Sequence, residues 1–553
     1  MSDLFLLSVC AGAAALGLAA TLRWTSPSAL APEMTRWSRW AIALIGGAVA
    51  FKFAFIVQSI WQGYVTMWPD EGARLLMNHA FDQDISDALS TNDRVWPVGS
   101  HLVSAAAMRM GDDNNAIMHW LASAYAVLSV LSAAWLGREV TGRDSSAVFC
   151  AWFVAILPMH SWLSTGAMTE MPTTAFLCLS LACALHGWRR AGEGRRGGPV
   201  FLAGAGLFAT LASGFRYEGW IWIAAFGALS GLHWLWRTFG ARALPAWLQP
   251  KQPNPMRSYS VVFWVAGALA LAFPVYWMID SLLHFGHPLA FFKNQTGTHT
   301  VGAEWTFWQR LQIFRLPAHA QIGSLWGLFL AGIPIALIRG SRRPLTLFGS
   351  LAILAYIGLM IVVTALQSIP SSLERYVISL LVLASPIASM AVAVGEDAVL
   401  ATLASRRPTL ALRSAGWIAS ALVLWTLITF GARSAGEAGR YKWWGYDTAS
   451  FAVGHFLAQE FREPQHLPNL GRGGDVVLHK ADHNFAHWWH IALMAGHLDR
   501  IRLQGGPDLE ERWAQDESIT VVRIGDGLST PPAHLAPVVD FQTVVIYHQA
   551  VEE

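Results

Sequence analysis

Apolar runs of near-membrane length recur along most of the chain, separated by short polar loops. The runs are approximately 4–22, 41–61, 117–136, 146–162, 172–188, 199–213, 219–236, 258–283, 321–338, 345–366, 376–394 and 413–431. Each is close to the roughly 20 residues that a helix needs to cross a hydrocarbon core of about 30 Å. The pattern predicts an α-helical polytopic membrane protein with about 12 transmembrane helices. Basic residues fall on alternate loops, at 23–40, 137–145, 189–198, 237–257, 339–344 and 395–412. By the positive-inside rule these loops are cytoplasmic. The other face then receives the loop at 62–116, short turns at 163–171, 214–218 and 367–375, the loop at 284–320, and everything after 432.

Composition supports this reading and adds a boundary. With 54% hydrophobic and 13% charged residues and a mean hydropathy of +0.38, a soluble globular class is excluded. The formal net charge of +2 is uninformative as a total; only the placement of charges carries meaning. The 28 tryptophans suit interfacial anchors and sugar-stacking surfaces equally. Cys10, Cys150, Cys178 and Cys183 all lie in apolar runs and read as small buried hydrophobes, with no disulfide or zinc framework. The 4–22 run lacks a basic n-region and is read as a retained span. Residues 432–553 differ in kind: charges and prolines return, and Val476-Val477-Leu478 and Ile519-Thr520-Val521-Val522 look like strands. The expected organisation is a transmembrane module over 1–431 and a small extracytoplasmic α/β domain over 432–553.

The candidate chemistry lies on the extracytoplasmic face. Asp70 and Glu71 open the first large loop, where Asp82, Asp84, Asp87, Asp93, Asp112 and Asp113 stand against Arg74, Arg94 and Arg109. Glu170 precedes Met171-Pro172 at the start of a span. Arg216, Tyr217 and Glu218 fill a very short turn, and Glu374, Arg375 and Tyr376 stand at the mouth of another span. Charges at such depths are costly unless paired or wet, so each is a functional-site candidate, against the plainer reading of snorkelling or a helix-terminus charge. Together they suit transfer from a lipid-linked phosphate. Asp70 is the candidate general base for an acceptor hydroxyl, with Glu71 beside it. The guanidinium of Arg375 offers bidentate contact to a departing phosphate, with Arg216, Glu218, Glu374 and Tyr376 as further substrate-binding candidates. Glu170 either completes a Mg²⁺ or Mn²⁺ site with Asp70 or holds an arginine in place.

These motifs resemble the GT-C superfamily of membrane glycosyltransferases, above all the bacterial relatives of protein O-mannosyltransferases and aminoarabinose transferases. The resemblance covers roughly residues 40–395 and rests on Asp70-Glu71, Glu170 before Met171-Pro172, and Ser213-Gly214-Phe215-Arg216-Tyr217-Glu218-Gly219. It also rests on Phe285-Gly286-His287-Pro288-Leu289-Ala290-Phe291-Phe292 and on Glu374-Arg375-Tyr376 with Pro386 downstream. It implies a GT-C-like fold and transfer of a sugar from a polyprenyl-phosphate donor to an acceptor hydroxyl, with inversion at the anomeric carbon. It also implies the aspartate of the first loop as base, the second-loop acid as its helper or a metal ligand, and the late arginine on the donor phosphate. The partners it implies are membrane lipids, the polyprenyl-linked sugar and a glycan, lipid or protein acceptor, with no nucleic acid. The setting it implies is a bacterial inner membrane with the site facing the periplasm. The chain departs from the family in having two spans before the acidic loop and in carrying Glu170 where several families place Asp. Tyr441-Lys442-Trp443-Trp444-Gly445-Tyr446-Asp447 is similar to the Trp-Trp-Asp-Tyr-Gly motif of oligosaccharyltransferase catalytic subunits, with the residues in another order.

Two other classes compete: a lipid or solute transporter or flippase, and, among enzymes, an oligosaccharide ligase using a lipid-diphosphate donor. A carrier would place polar groups near the midplane and on both faces, whereas the clusters above share one face. Two features have no assigned role. Lys52 lies in the middle of the second span, where it must face the bundle interior or pair with a carboxylate. His479, His483, His487 and His490, with Asp482 among them, have a spacing that a zinc site could use on a continuous helix.

Overall fold

In the computed structural model the described residues are, in the main, 37–61, 97–110, 114–193, 197–243, 260–290, 325–340, 344–366, 377–406, 448–479, 500–504, 519–524, 535–540 and 544–549, with single positions such as 74, 77, 78, 318, 321, 322 and 375. The chain divides into two compact units, Met1–Tyr64 with Asp84–Tyr441, and Val65–Gln83 with Lys442–Glu553. The boundary expected at 431–432 lies outside the described residues.

The first unit is helical. Its elements are α1 (Arg39–Trp61), α2 (Gly99–Met108), α3 (Asn114–Thr141), α4 (Asp144–Ile156), α5 (Pro158–Leu163), α6 (Glu170–Gly192), α7 (Gly198–Phe215), α8 (Glu218–Ala243), α9 (Ser260–Phe285), α10 (Trp326–Gly340), α11 (Pro344–Leu366) and α12 (Val377–Arg406). Among the described residues seven helices are long and apolar enough to cross a membrane. Nine of the twelve expected spans coincide with single described helices, 146–162 falls on two, and 4–22 and 413–431 lie outside the described residues. One expectation is corrected: 146–162 is not a single span. Leu157 leaves the helical region with ψ 125°, and Pro158 starts a new short helix, because proline supplies no N–H and crowds the preceding turn.

Burial sorts the helices into centre and periphery. In the apolar windows of α6 and α12, 94% and 89% of residues are buried, against 11% in α9. A helix apolar all round and buried all round is a core helix, whereas α9 is apolar towards lipid. Helix α9 packs on α7, and Gly206 makes this possible. A Cβ there would stand 2.1 Å from the Ala266 carbonyl oxygen. Pro274 sits inside α9 and deprives the Ala270 carbonyl of its helical donor. The Thr210 hydroxyl of α7 donates to that carbonyl at 3.3 Å and accepts from the Phe273 N–H at 3.1 Å, so the kink is satisfied by its neighbour. The free cysteines among the described residues, Cys150, Cys178 and Cys183, are all buried, as expected of small hydrophobes.

The second unit holds α13 (Thr448–Arg462), α14 (Pro468–Gly471) and strands β1 (Asp475–His479), β2 (Ile501–Gln504), β3 (Ile519–Ile524), β4 (Leu535–Asp540) and β5 (Val544–Gln549). Both runs expected as strands are strands. The sheet order is β2-β1-β3-β5-β4, with β1 parallel to β2 and β3, and β5 antiparallel to β3 and β4. Val476 pairs with Ile501 and with Thr520, which fixes the register of the parallel part. Val453, Leu457, Leu467, Leu470, Val476, Leu478, Ile491, Ile501 and Val522 form its core. Arg500 donates to the Leu470 carbonyl at 2.7 Å and lies over the Phe461 ring, tying the α14 turn down. His479 ends β1, while Asp482, His483, His487 and His490 lie outside the described residues.

Candidate functional site

Glu170, Arg216, Glu218 and Arg375, four of the charges singled out in the sequence, are brought together in the first unit. Glu170 is the first residue of α6, where a carboxylate suits the positive end of the helix dipole. Arg216 follows α7 in extended conformation, with φ −153° and ψ 151°, and Glu218 opens α8. The turn between them is tight because Gly219 packs on the end of α7: a Cβ there would stand 2.4 Å from the Ser213 nitrogen. Arg375 stands two residues ahead of α12.

Arg216 is the hub. Its Nη1 is 2.6 Å from Glu170 Oε1, its Nη2 is 2.6 Å from Glu218 Oε1, and its Nε donates to Glu218 Oε1 at 2.7 Å. Nη1 also donates to the Thr169 hydroxyl at 3.4 Å. The Nε of Arg375 lies 3.6 Å from the same Glu170 oxygen. All four side chains are buried: Glu170 is 3% exposed, Arg375 5%, Arg216 7% and Glu218 9%. Two carboxylates and two guanidinium groups leave the quartet formally neutral, as burial demands of charges in a low-dielectric bundle. Such a cluster presents fixed donors with little reorganisation, and this is what stabilises charge at a leaving group.

Two neighbours extend the cluster. Trp277 of α9 donates its indole N–H to the Tyr217 hydroxyl at 3.1 Å, which ties the turn to the outer helix. Tyr356, fully buried on α11, lies beside Ser379 of α12 and within the field of Glu218 and Arg216. Tyr356 and Ser379 give no signal in the sequence, since each sits in an apolar run as any buried hydroxyl might. Asp280, near the end of α9, is 8% exposed, with His284 Nδ1 3.4 Å from its Oδ1.

Asp70, Glu71, Glu374 and Tyr376 lie outside the described residues. Among the described residues no group of three or more His, Cys, Asp or Glu side chains could hold a metal ion. The Glu170 carboxylate instead faces two guanidinium groups, which would repel a divalent cation.

A second buried cluster corrects the expectation that all such charges share one face. Glu139, near the end of α3, is 3% exposed. Arg189 Nη1 lies 2.6 Å from its Oε2, and His186 Nδ1 lies 3.0 Å from its Oε1. Trp135 Nε1 donates to Oε1 at 3.1 Å, and Arg189 Nη2 donates to the Glu139 carbonyl at 2.9 Å. Arg189 is in the last turn of α6, the opposite end from Glu170. In the sequence Glu139 sits beside Arg138 at the edge of a basic loop and passes for a surface charge. Its partners are a helix and a half away in the chain. The cluster ties α3 to α6 through one fully engaged carboxylate.

No family model matches the chain, and no curated protein matches it in sequence. Solved structures do. ArnT from Cupriavidus metallidurans bound to undecaprenyl phosphate superposes with a TM-score of 0.57 at 14% identity, over 93% of this chain and 98% of that one. Its apo state gives 0.56 at 13% identity, over 90% and 96%. The apo oligosaccharyltransferase of Archaeoglobus fulgidus gives 0.54 at 12% identity, over 88% of this chain and 69% of that one. At identities this low the likeness is one of fold, and that fold is the GT-C fold of membrane glycosyltransferases.

Proposed function

We propose that this chain is a membrane glycosyltransferase that moves a sugar from a polyprenyl-phosphate donor to an acceptor hydroxyl on the periplasmic side of a bacterial inner membrane. The observation that carries the reading is the convergence of Arg216 and Arg375 on Glu170, which assembles two guanidinium groups at the ends of α7 and α12. A solved neighbour of the same fold holds undecaprenyl phosphate, and another, the Archaeoglobus oligosaccharyltransferase, holds dolichol phosphate with an inhibitory peptide. The alternation of basic loops supports the periplasmic assignment.

In this mechanism Asp70 takes the proton of the acceptor hydroxyl. The oxygen attacks the anomeric carbon from the face opposite the phosphate, and the bond from that carbon to the phosphate oxygen breaks. The polyprenyl phosphate leaves with the bonding pair, and the sugar inverts. Arg375 meets the charge that develops on the phosphate. Arg216 holds Glu170 and Glu218 in register, and Glu170 keeps both guanidinium groups in place. The donor set around Glu170 suits an arginine anchor and does not fit a Glu170-centred metal, so no step is assigned to a cation.

One competitor is an oligosaccharide ligase, which shares the fold of the Archaeoglobus oligosaccharyltransferase and would be marked by use of a lipid-diphosphate donor. The test uses purified protein in nanodiscs with radiolabelled polyprenyl-phosphate and polyprenyl-diphosphate sugars, and a membrane extract as acceptor source. Transfer from the monophosphate donor by wild type, lost in Asp70→Asn and Arg375→Ala and unaffected by chelator, is expected. Transfer from the diphosphate donor alone would select the ligase. No transfer from any donor, with lipid movement across sealed vesicles, would replace the enzyme with a transporter.

A further inference from the structure

The break at Pro158 leaves backbone groups inside the bundle that the helix cannot satisfy. The Met159 N–H donates sideways, to Gln321 Oε1 at 2.9 Å. The Ala155 carbonyl thereby loses its helical donor and accepts from the Ser161 hydroxyl at 3.4 Å. Ser161 Oγ in turn accepts from Lys52 Nζ at 2.7 Å. Lys52, on α1, is fully buried, with the Phe55 ring 5.9 Å from its amine. Among the described residues it has no carboxylate partner. An amine held by one hydroxyl inside a membrane bundle is a costly choice of residue. Ser161 already satisfies Ala155, so the break itself does not require the lysine.

The amine does constrain α5. From α5 the chain runs through Ser164, Thr165 and Gly166 to Thr169 and Glu170, all buried. Other tethers of this stretch are Gln321, which accepts from the Met159 N–H, Ser129, 2.5 Å from His160 Nε2, and His119, whose Nδ1 meets the Thr165 carbonyl. Ser129 and His119 belong to α3, whereas Lys52 alone ties the stretch to α1 among the bonds described.

We propose that Lys52 is a positioning residue for the Glu170 cluster. Its amine holds Ser161, Ser161 fixes α5, and α5 sets where Thr169 and Glu170 meet Arg216. The role rests on reading Glu170 and its arginines as the donor-phosphate site.

The test compares wild type, Lys52→Met, Ser161→Ala, the double variant and Ser161→Thr, which keeps the hydroxyl, in nanodiscs. Amide hydrogen exchange is read for 157–170 and for α12, and undecaprenyl phosphate affinity is measured on the same samples well below melting. Lys52→Met and Ser161→Ala should each speed exchange in 157–170 by roughly tenfold, with α12 unchanged. Each should weaken binding by about fivefold, the worth of one ordinary hydrogen bond. The double variant should be no worse than the worse single, and Ser161→Thr should track wild type. Unchanged exchange in 157–170, additive losses, or faster exchange spread evenly over the bundle would overturn the role. If Lys52→Met does not insert, Ser161→Ala alone decides. If wild type binds no undecaprenyl phosphate, the donor-site reading fails, while the exchange data still judge whether Lys52 holds the loop.

Discussion

Replacing Arg216 by methionine is expected to be the most damaging single change in the charged quartet. The side chain touches two carboxylates at 2.6 Å each, and both are buried. Its removal takes this guanidinium from both, while Arg375 stays 3.6 Å from Glu170. Breaking a buried pair by deleting one partner costs about 3–5 kcal/mol, and the loss of a guanidinium from two carboxylates at once puts this case at the upper end. Against a total stability on the order of 5–15 kcal/mol, that is a large share. Glu218→Gln should cost less, since Arg216 keeps Glu170. Arg195→Ala is the control: its pair with Glu193 at 3.1 Å is exposed on both sides, and such pairs are worth roughly 0–1 kcal/mol. The double variant Arg216→Met, Glu218→Gln should recover much of the loss, because one carboxylate, Glu170, and one guanidinium, Arg375, then remain and the cluster is again formally neutral. The assay is thermal unfolding in nanodiscs by tryptophan fluorescence, read as a rank order. If Arg216→Met melts with Arg195→Ala, or if the double variant is worse than the single, the account of the quartet as mutually neutralised buried charge is wrong.

Two other outcomes follow from the packing and from the second unit. Gly206→Ala places a methyl against the Ala266 backbone and should destabilise by about 1–3 kcal/mol. Gly46→Ala, where nothing lies within 4 Å of the new Cβ, should be neutral or stabilising by about 0.5–1 kcal/mol. Equal melting of the two would refute the close α7–α9 approach. In the second unit, burial raises the proton affinity of Glu460, but the His466 ring and the backbone N–H groups of His466 and Leu467 outweigh it. The carboxyl is thereby held below its ordinary value. Its stabilisation is therefore present above the unfolded-state value and is lost as pH falls through the lower folded value. Protection of 448–479 from hydrogen exchange should drop in acid for wild type and be low already at neutral pH for Glu460→Gln. Superimposable pH profiles would refute it.

The two buried clusters also differ in what they ask of the protein. Around Glu139 the contacts described above are internal to α3 and α6, and the carboxylate is engaged on both oxygens. That is a clamp between neighbouring helices. Around Glu170 the partners come from the starts or ends of α6, α7 and α8 and from the approach to α12, so four elements must be placed before the cluster exists. The first arrangement suits structure, and the second suits a site built where helices converge.

Much of this protein is written in local sequence. Helix existence follows from runs of apolar residues at membrane length, because a chain in lipid must satisfy its backbone within each span. The nine spans that coincide with single described helices were legible for that reason, and the β1 and β3 strands were legible from their β-branched runs. Glu170, Arg216, Glu218 and Arg375 stood out because charges are rare near apolar runs. Local sequence could not say that Arg216 rather than a metal would hold Glu170, since the two lie 46 residues apart and only the packing of α6 against α7 joins them. It could not separate the Glu139 clamp from a surface charge, because Arg189 and His186 reach it from another helix. Nor could it find a partner for Lys52: the hydroxyl that accepts from it lies 109 residues away, beyond a helix break. Hydrophobic period and charge sign are properties of neighbours in the chain, and they determined the elements and their ends. Which buried charges neutralise one another depends on distances of a few ångströms between helices, and only the tertiary structure decided that.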